Sequence, residues 1–314
     1  MSSSDVSRRL FLGSFGAAMA LYESTRVAFA QTPAGGGGVA GVSVEKDVVF
    51  GKGGDVDLKL DIYKPTVASK RTAIIHYHGG GFTGGSKDGL AAALGPMTSL
   101  GYVNIAAQYR LAGVAKWPSQ IHDVKAAIRW TRANASRLGI DPARIVIAGY
   151  SAGGHLALHA AGTQNMADFE GTNGSPGVPT TLAGCLAFYA VTGAAWSGYR
   201  TGFPMPPGAS EADWQAATPT TYVKNLPPTI LHHGLADTTV PPQSSMEFLK
   251  LAQEAKIPSE LHTLNGVPHA FINHPELVEL TARVNDSFLE RTVLNPKTYP
   301  AFGAGRGGGR GGGQ

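Results

Sequence analysis

Ile145-Val146-Ile147-Ala148-Gly149-Tyr150-Ser151-Ala152-Gly153-Gly154 is the stretch on which the reading of this chain turns. Its first four residues are apolar and mostly β-branched, which predicts a short buried strand, and Leu156-Ala157-Leu158 just beyond suits a helix. Between them stands G-x-S-x-G, in the strand–turn–helix setting where that pattern carries chemistry. The glycines have a steric reason. In so sharp a turn, side chains two positions either side of the serine would collide with neighbouring elements. The turn lifts Ser151 Oγ clear of the sheet and leaves it at a helix N-terminus, where the dipole favours negative charge. Ser151 is the expected nucleophile.

Outward from this turn the pattern is strand–helix alternation. Val42–Phe50 and Val56–Tyr63 are β-rich runs joined by Gly51-Lys52-Gly53-Gly54-Asp55, a hairpin signal. Thr72–Tyr77, Tyr102–Ala107, Arg144–Ala148, Leu182–Tyr189 and Thr229–His232 are short, mostly apolar runs, as in parallel strands covered on both faces. Pro118–Leu138, Pro241–Lys256 and His274–Val293 read as amphipathic helices. The fold class expected is α/β. A mostly parallel central sheet opens with an N-terminal antiparallel hairpin and carries helices on both faces, in one domain over residues 42–295. Residues 193–226 break the rhythm. They hold Trp196, Tyr199, Phe203, Met205 and Trp214 amid Gly and Pro without a clear period, and read as a short cap insertion over the site.

A serine hydroxyl needs a base and an orienting carboxylate. Behind a nucleophile elbow the chain order is serine, acid, histidine. His269 stands in Asn265-Gly266-Val267-Pro268-His269-Ala270-Phe271, a loop following the strand-like Glu260–Leu264, and is the expected base. His232 and His233 lie in an apolar strand and suit core or loop support, while His274 before Pro275 suits a helix start. Asp237 directly follows the apolar run that begins at Ile230, where an open sheet places site residues, and is the expected acid; Asp213 in the insertion is the alternative.

Transition-state charge also needs donors. His78-Gly79-Gly80-Gly81-Phe82 follows the strand Thr72–Tyr77, and glycines there let backbone N–H groups approach a substrate carbonyl. Gly80, Gly81 and Ala152 are assigned to the oxyanion hole and His78 to loop support. Phe82, Trp196, Phe203 and Trp214 are candidates for the substrate pocket, or equally for cap packing. Two decoys fall away. Gly79, Gly81 and Gly84 spell G-x-G-x-x-G, but the next strand ends in Gln108 and Tyr109 where a dinucleotide site wants an acid. His155 and His159 lack the intervening Glu of a zinc protease motif and read as structural, so no metal and no other cofactor is expected.

With the HGGG loop, GYSAGG, Asp237 and His269 in order, the chain from Val56 to Val293 resembles the α/β-hydrolase superfamily. More narrowly it is similar to bacterial carboxylesterases between the hormone-sensitive-lipase-like and the feruloyl/acetylxylan-esterase-like groups. Gln108-Tyr109-Arg110-Leu111-Ala112, Trp117-Pro118 and Asp123 resemble the D-Y-R-L-A-P…P…D segment of the lipase-like branch. Gln108 replaces its Asp, Tyr150 replaces the usual elbow Asp, and the N-terminal helical cap is missing. With Ser-Ala-Gly-Gly-His after the elbow, these departures tilt the resemblance to the feruloyl/acetylxylan-esterase-like group. It implies a serine esterase working through an acyl-enzyme on small or polysaccharide-linked acetyl or feruloyl esters. Small-amide hydrolysis of the arylformamidase kind uses the same triad and stays open, as does a non-catalytic binding protein on the same fold.

The ends carry a different signal. Ser7-Arg8-Arg9-Leu10-Phe11-Leu12 leads into an apolar stretch to Leu21, shorter than the ~20 residues of a membrane span, and Ala28-Phe29-Ala30 offers a cleavage site. Residues 1–30 resemble a twin-arginine signal peptide, which implies a periplasmic or secreted protein. Residues 31–41 are a glycine-rich lead-in, and residues 296–314 end in a Gly/Arg tail that cannot bury enough apolar surface to order itself. The pI near 9.1 and net charge of +4 suggest nucleic acid at first sight. Three basic and two acidic groups lie in residues 1–30, and setting these and the tail residues Arg306 and Arg310 aside leaves +1, near neutral. No nucleic-acid partner and no stable membrane span are expected. The lone Cys185, in an apolar run, excludes an intrachain disulfide framework.

Overall fold

The computed structural model describes residues 42–193 and 199–299. The signal-like segment, the glycine lead-in, Trp196 and most of the Gly/Arg tail lie outside these residues. Eight strands form one sheet in the order β1-β2-β4-β3-β5-β6-β7-β8. β1 (Val42–Gly53) and β2 (Val56–Pro65) form the antiparallel hairpin. β2 pairs antiparallel with β4 (Val103–Ala107), and every later pairing is parallel.

β3 (Ala73–Tyr77), β4, β5 (Ile145–Tyr150), β6 (Gly184–Phe188) and β7 (Thr229–Gly234) are buried along their whole length. This is why they read as continuous apolar runs rather than alternating ones. β8 (Ser259–Leu264) is the far edge and is buried only at Leu264. One core packs α2 (Ser119–Ala133) and α3 (Ala152–Gly162) on one face, with Ile121, Val124, Ile128, Leu156 and Leu158 against Ile75, Ile105 and Ile147. The other packs α1 (Ala91–Ser99) and α6 (Pro275–Leu289), with Leu94, Met97, Ala282 and Phe288 against Ile74, Val146 and Leu186. The α/β fold with helices on both faces is therefore observed.

Three local expectations are corrected. The helix expected over Pro118–Leu138 breaks at Asn134, whose Nδ2 donates to the Trp130 carbonyl at 2.9 Å, and a separate turn follows at Ala135–Leu138. The last helix ends at Leu289 and continues as a wider π-type turn, Glu290–Leu294. The insertion is not irregular over its described part: Tyr199–Gly202, α4 (Glu211–Ala217) and a 3-10 stretch, Pro219–Asn225, are helical. These helices are too short to show a period. The signal that could have found α4 is its capping box: Ser210 Oγ accepts from Asp213 N at 3.2 Å while Ser210 N donates to Asp213 Oδ2 at 2.8 Å. α5 (Gln243–Glu254) lies between β7 and β8.

The parallel register aligns the ends of the strands. It sets Tyr77 beside Gly149, Tyr150 beside Phe188, Phe188 beside His232, and Gly234 beside Leu264. The carboxyl ends of β3, β5, β6, β7 and β8 thus share one edge, where open parallel sheets build their sites.

Candidate active site

Ser151 follows β5 at φ 54°, ψ −115°, a backbone region that non-glycine residues seldom occupy. Hydrogen bonds over-determine it: Ser151 N donates to Phe188 O at 2.9 Å, and His155 N donates to Ser151 O at 3.0 Å. The flanking glycines are forced. A Cβ on Gly149 would lie 2.0 Å from Gly153 O, and one on Gly153 would lie 2.1 Å from Tyr77 O.

His269 comes in from the loop after β8. Its Nε2 lies 2.9 Å from Ser151 Oγ and its Nδ1 lies 2.6 Å from Asp237 Oδ2. With Nδ1–H donated to the carboxylate, Nε2 is left as the acceptor of the serine proton. Asp237 is almost wholly buried, and its Oδ1 accepts from Thr239 N at 2.8 Å and Val240 N at 2.9 Å. Burial works to raise its pKa, but hydrogen bonds from His233 and His269, the His269 charge and the Val240 N–H outweigh it. The carboxyl is held well below the usual range. Tyr189, at φ 38° just beyond β6, sets its ring edge-on to the His269 imidazole, centroids 4.6 Å apart.

The HGGG loop lies over the serine: a Cβ on Gly79 would meet Ser151 Cβ at 3.1 Å. Gly80, Gly81 and Phe82 follow one another at φ 111°, 59° and 64°, and the Gly80 carbonyl accepts from Thr83 N and Gly84 N. Among the described residues the backbone N–H groups of Gly80, Gly81 and Ala152 have no backbone acceptor, as donors reserved for an oxyanion require. His78 is buried, keeps its Nδ1 2.7 Å from Gly79 O and stacks on Tyr109 at 4.5 Å, while Tyr109 OH donates to His78 O at 3.1 Å. Burial lowers the His78 pKa, partly opposed by the Gly79 carbonyl, so the ring supports the loop as a neutral group.

The aromatic candidates divide. Phe82 and Phe203 keep only 4% and 6% of their surface and pack edge to face at 5.0 Å, together with Trp117 and His155. Trp214 packs edge-on to Tyr199 and tilted against Phe203, with the Arg200 guanidinium 5.1 Å over its ring. The structure joins these three as packing partners beside the glycine loop and α3. A small cavity elsewhere is lined by His76, Met97, Tyr150, Phe188, Thr281 and Asn285; neither Ser151, His269 nor any insertion residue borders it.

The alternatives set aside from sequence have other partners. Asp213 is exposed in the α4 capping box, and His274 is the N-cap residue of α6. His232 Nε2 meets Asn285 Oδ1 at 2.7 Å. His155 Nδ1 meets Val191 O at 3.0 Å and His159 Nε2 meets Ala216 O at 2.8 Å, so both rings tie α3 to what lies above it. No group of His, Cys, Asp and Glu among the described residues could hold a metal ion. His233 is the residue whose place sequence reading missed, because its Nε2 lies 3.2 Å from Asp237 Oδ2. The i,i+4 spacing of the two was the only signal.

Comparison with known proteins identifies the family. The BD-FAE family profile matches residues 60–251. A probable carboxylic ester hydrolase of Mycobacterium tuberculosis, LipM, is 32% identical over 242 residues, covering 72% of this chain and 56% of LipM. The chain thus spans little more than half the length of that relative. Among solved structures, Thermogutta terrifontis esterase 2 phosphoramylated by tabun superposes with a TM-score of 0.69 at 31% identity, covering 82% of this chain and 98% of that one. The same esterase with propionate bound gives 0.67 at 31%, covering 83% and 98%. A truncated carbohydrate esterase from gut microbiota gives 0.70 at 26%, covering 80% and 96%. Fold, strand order and profile converge, and the chain belongs to the BD-FAE family of the α/β-hydrolase superfamily.

Proposed function

We propose that this protein is a serine carboxylesterase that cleaves short-acyl or carbohydrate-linked esters, of acetyl or feruloyl type, through an acyl-enzyme. The observation that carries the reading is the unbroken hydrogen-bonded line Ser151–His269–Asp237, at 2.9 and 2.6 Å, beneath a glycine loop whose Gly80 and Gly81 N–H groups have no backbone acceptor among the described residues. His269 takes the Ser151 proton as Oγ attacks the ester carbonyl. Asp237 holds the tautomer and stabilises the imidazolium. The N–H groups of Gly80, Gly81 and Ala152 receive the oxyanion, His269 returns the proton to the departing alcohol, and water activated by His269 then releases the acid. The similar proteins, one with propionate bound and one a carbohydrate esterase, support the short-acyl and carbohydrate-linked reading. Phe82, Phe203 and Trp214, packed on one another beside the glycine loop, are proposed to form the wall that meets the alcohol moiety.

Ser151→Ala tests the assignment. The variant should keep its fold and lose hydrolysis of p-nitrophenyl acetate; retained hydrolysis would overturn it. Rates on acetylated sugars, feruloyl esters and formyl amides then fix the substrate class. Export through the twin-arginine route is proposed from residues 1–30, and Arg8→Lys with Arg9→Lys should leave the protein in the cytoplasm.

A further inference from the structure

β7 presents two histidines in succession, turned to opposite sides. His232 reaches α6 through Asn285, whereas His233 turns toward the first turn of α5 and is wholly buried. His233 Nδ1 lies 2.7 Å from Ser245 Oγ. Its Nε2 lies 2.9 Å from Val240 O and 3.2 Å from Asp237 Oδ2, the same oxygen that meets His269 Nδ1. Both neighbours of Nε2 are acceptors, so that nitrogen carries the hydrogen, and Nδ1 accepts from the Ser245 hydroxyl. The two acceptors at Nε2 therefore set the tautomer, and the Ser245 hydroxyl, able to donate or accept, holds the ring in place at Nδ1.

We propose that His233 is a positioning residue for the hydrolysis: a second imidazole on Asp237 Oδ2 that fixes the carboxylate and draws off part of its charge. The proposal rests on the serine-esterase reading above. Asp237 then faces three titratable side chains, His233 from β7, His269 from the loop after β8 and Tyr189 from the end of β6. His233 and His269 share one oxygen. A carboxylate whose charge is shared stabilises the His269 imidazolium less. Removing the His233 donor therefore strengthens the hold of Asp237 on the His269 imidazolium and moves the acid limb of kcat/KM to higher pH. It also leaves Oδ2 held by His269 alone, with Oδ1 still on Thr239 N and Val240 N, and the looser alignment lowers kcat.

The test is a pH–rate profile of the full chain on p-nitrophenyl acetate for the wild type, Ser151→Ala, His233→Met, His233→Gln and Ser245→Ala. His233→Met should lose roughly ten- to hundred-fold in kcat/KM, the worth of one hydrogen bond to a charged group, with its acid limb displaced upward. His233→Gln, whose amide N–H stands near the Nε2 position, should keep the wild-type limb. Ser245→Ala should shift it in the same direction as His233→Met but less, and it carries the test if His233→Met does not fold by circular dichroism. An unmoved limb in the folded donor-loss variants overturns the proposal. So does a shift in His233→Gln as large as in His233→Met, which would mark lost ring packing. Activity retained by Ser151→Ala overturns the esterase reading itself; activity lost there with an unmoved His233 limb overturns the positioning role alone.

Discussion

The α-carbon of Gly234 faces the carbonyl oxygen of Val267 so closely that a methyl group on it would lie 2.1 Å away. The same carbonyl accepts from Ala236 N at 3.0 Å, and Leu235 N donates to Leu264 O at 2.9 Å. The turn that carries Asp237 and the loop that carries His269 are therefore laced together, and the missing side chain at Gly234 permits it.

Gly234→Ala should push the His269 loop outward. Overpacking of this kind costs about 1–3 kcal/mol of stability. A displacement of about 1 Å at a catalytic group costs on the order of 100-fold in rate. We expect kcat to fall by that order while the protein remains folded; unchanged kcat would show that the loop accommodates the methyl elsewhere.

Asp237→Asn keeps the shape of the site and removes the charge. Its amide also favours the wrong His269 tautomer, with Nδ1 as acceptor. Such a change lowers kcat on the order of 10⁴-fold in a well-studied serine protease. Steady-state kinetics should show a loss of similar order here, with KM nearly constant.

Stability should fall in mild acid. Burial pushes the pKa of His76 and His155 down to about 4 and that of His159 and His232 down to about 3, with their hydrogen bonds only partly opposing it. Histidine in an unfolded chain titrates near ~6.5. Between these values the unfolded chain binds protons that the folded chain refuses. The stabilisation is therefore complete above about pH 6.5 and declines as pH falls toward 4. Asp237, held below its ordinary value, withdraws its own contribution only below about pH 4. Melting at pH 7.5 and 4.5 should show Tm several degrees lower in acid, and a flat profile would contradict the neutral, buried state of these rings.

Arg110 and Asp123 form a forked pair, Nε to Oδ2 at 2.8 Å and a terminal nitrogen to Oδ1 at 2.7 Å, with Asp123 fully buried. Asp123 also accepts from the Arg110 backbone and Asn173 side-chain nitrogens at 2.9 and 3.0 Å. Asp123→Ala would leave an arginine among buried groups and should cost about 3–5 kcal/mol, read from the urea midpoint.

Sequence pattern carried the architecture because its causes are local. Buried parallel strands must be continuously apolar, as Ile74-Ile75 and Ile145-Val146-Ile147 are, and a strand–serine–helix turn must have glycine where Gly149 and Gly153 stand. Chain order and loop position also singled out Asp237 and His269, since a parallel sheet delivers successive loops to one edge. The helices of the insertion escaped notice, spanning about two turns at most and so showing too little of the repeat that reveals a helix. Other facts required the folded chain. Whether Phe82 and Phe203 face a substrate or each other depends on how the insertion settles on α3, and the structure packs them together at 5.0 Å. His233 looked like one more apolar-strand histidine until β7 and α5 placed it between Ser245 and Asp237. Hydrogen bonds between residues distant in sequence depend on side-chain direction and register. Composition and spacing leave both undefined, and close packing of the sheet against its helices settles them.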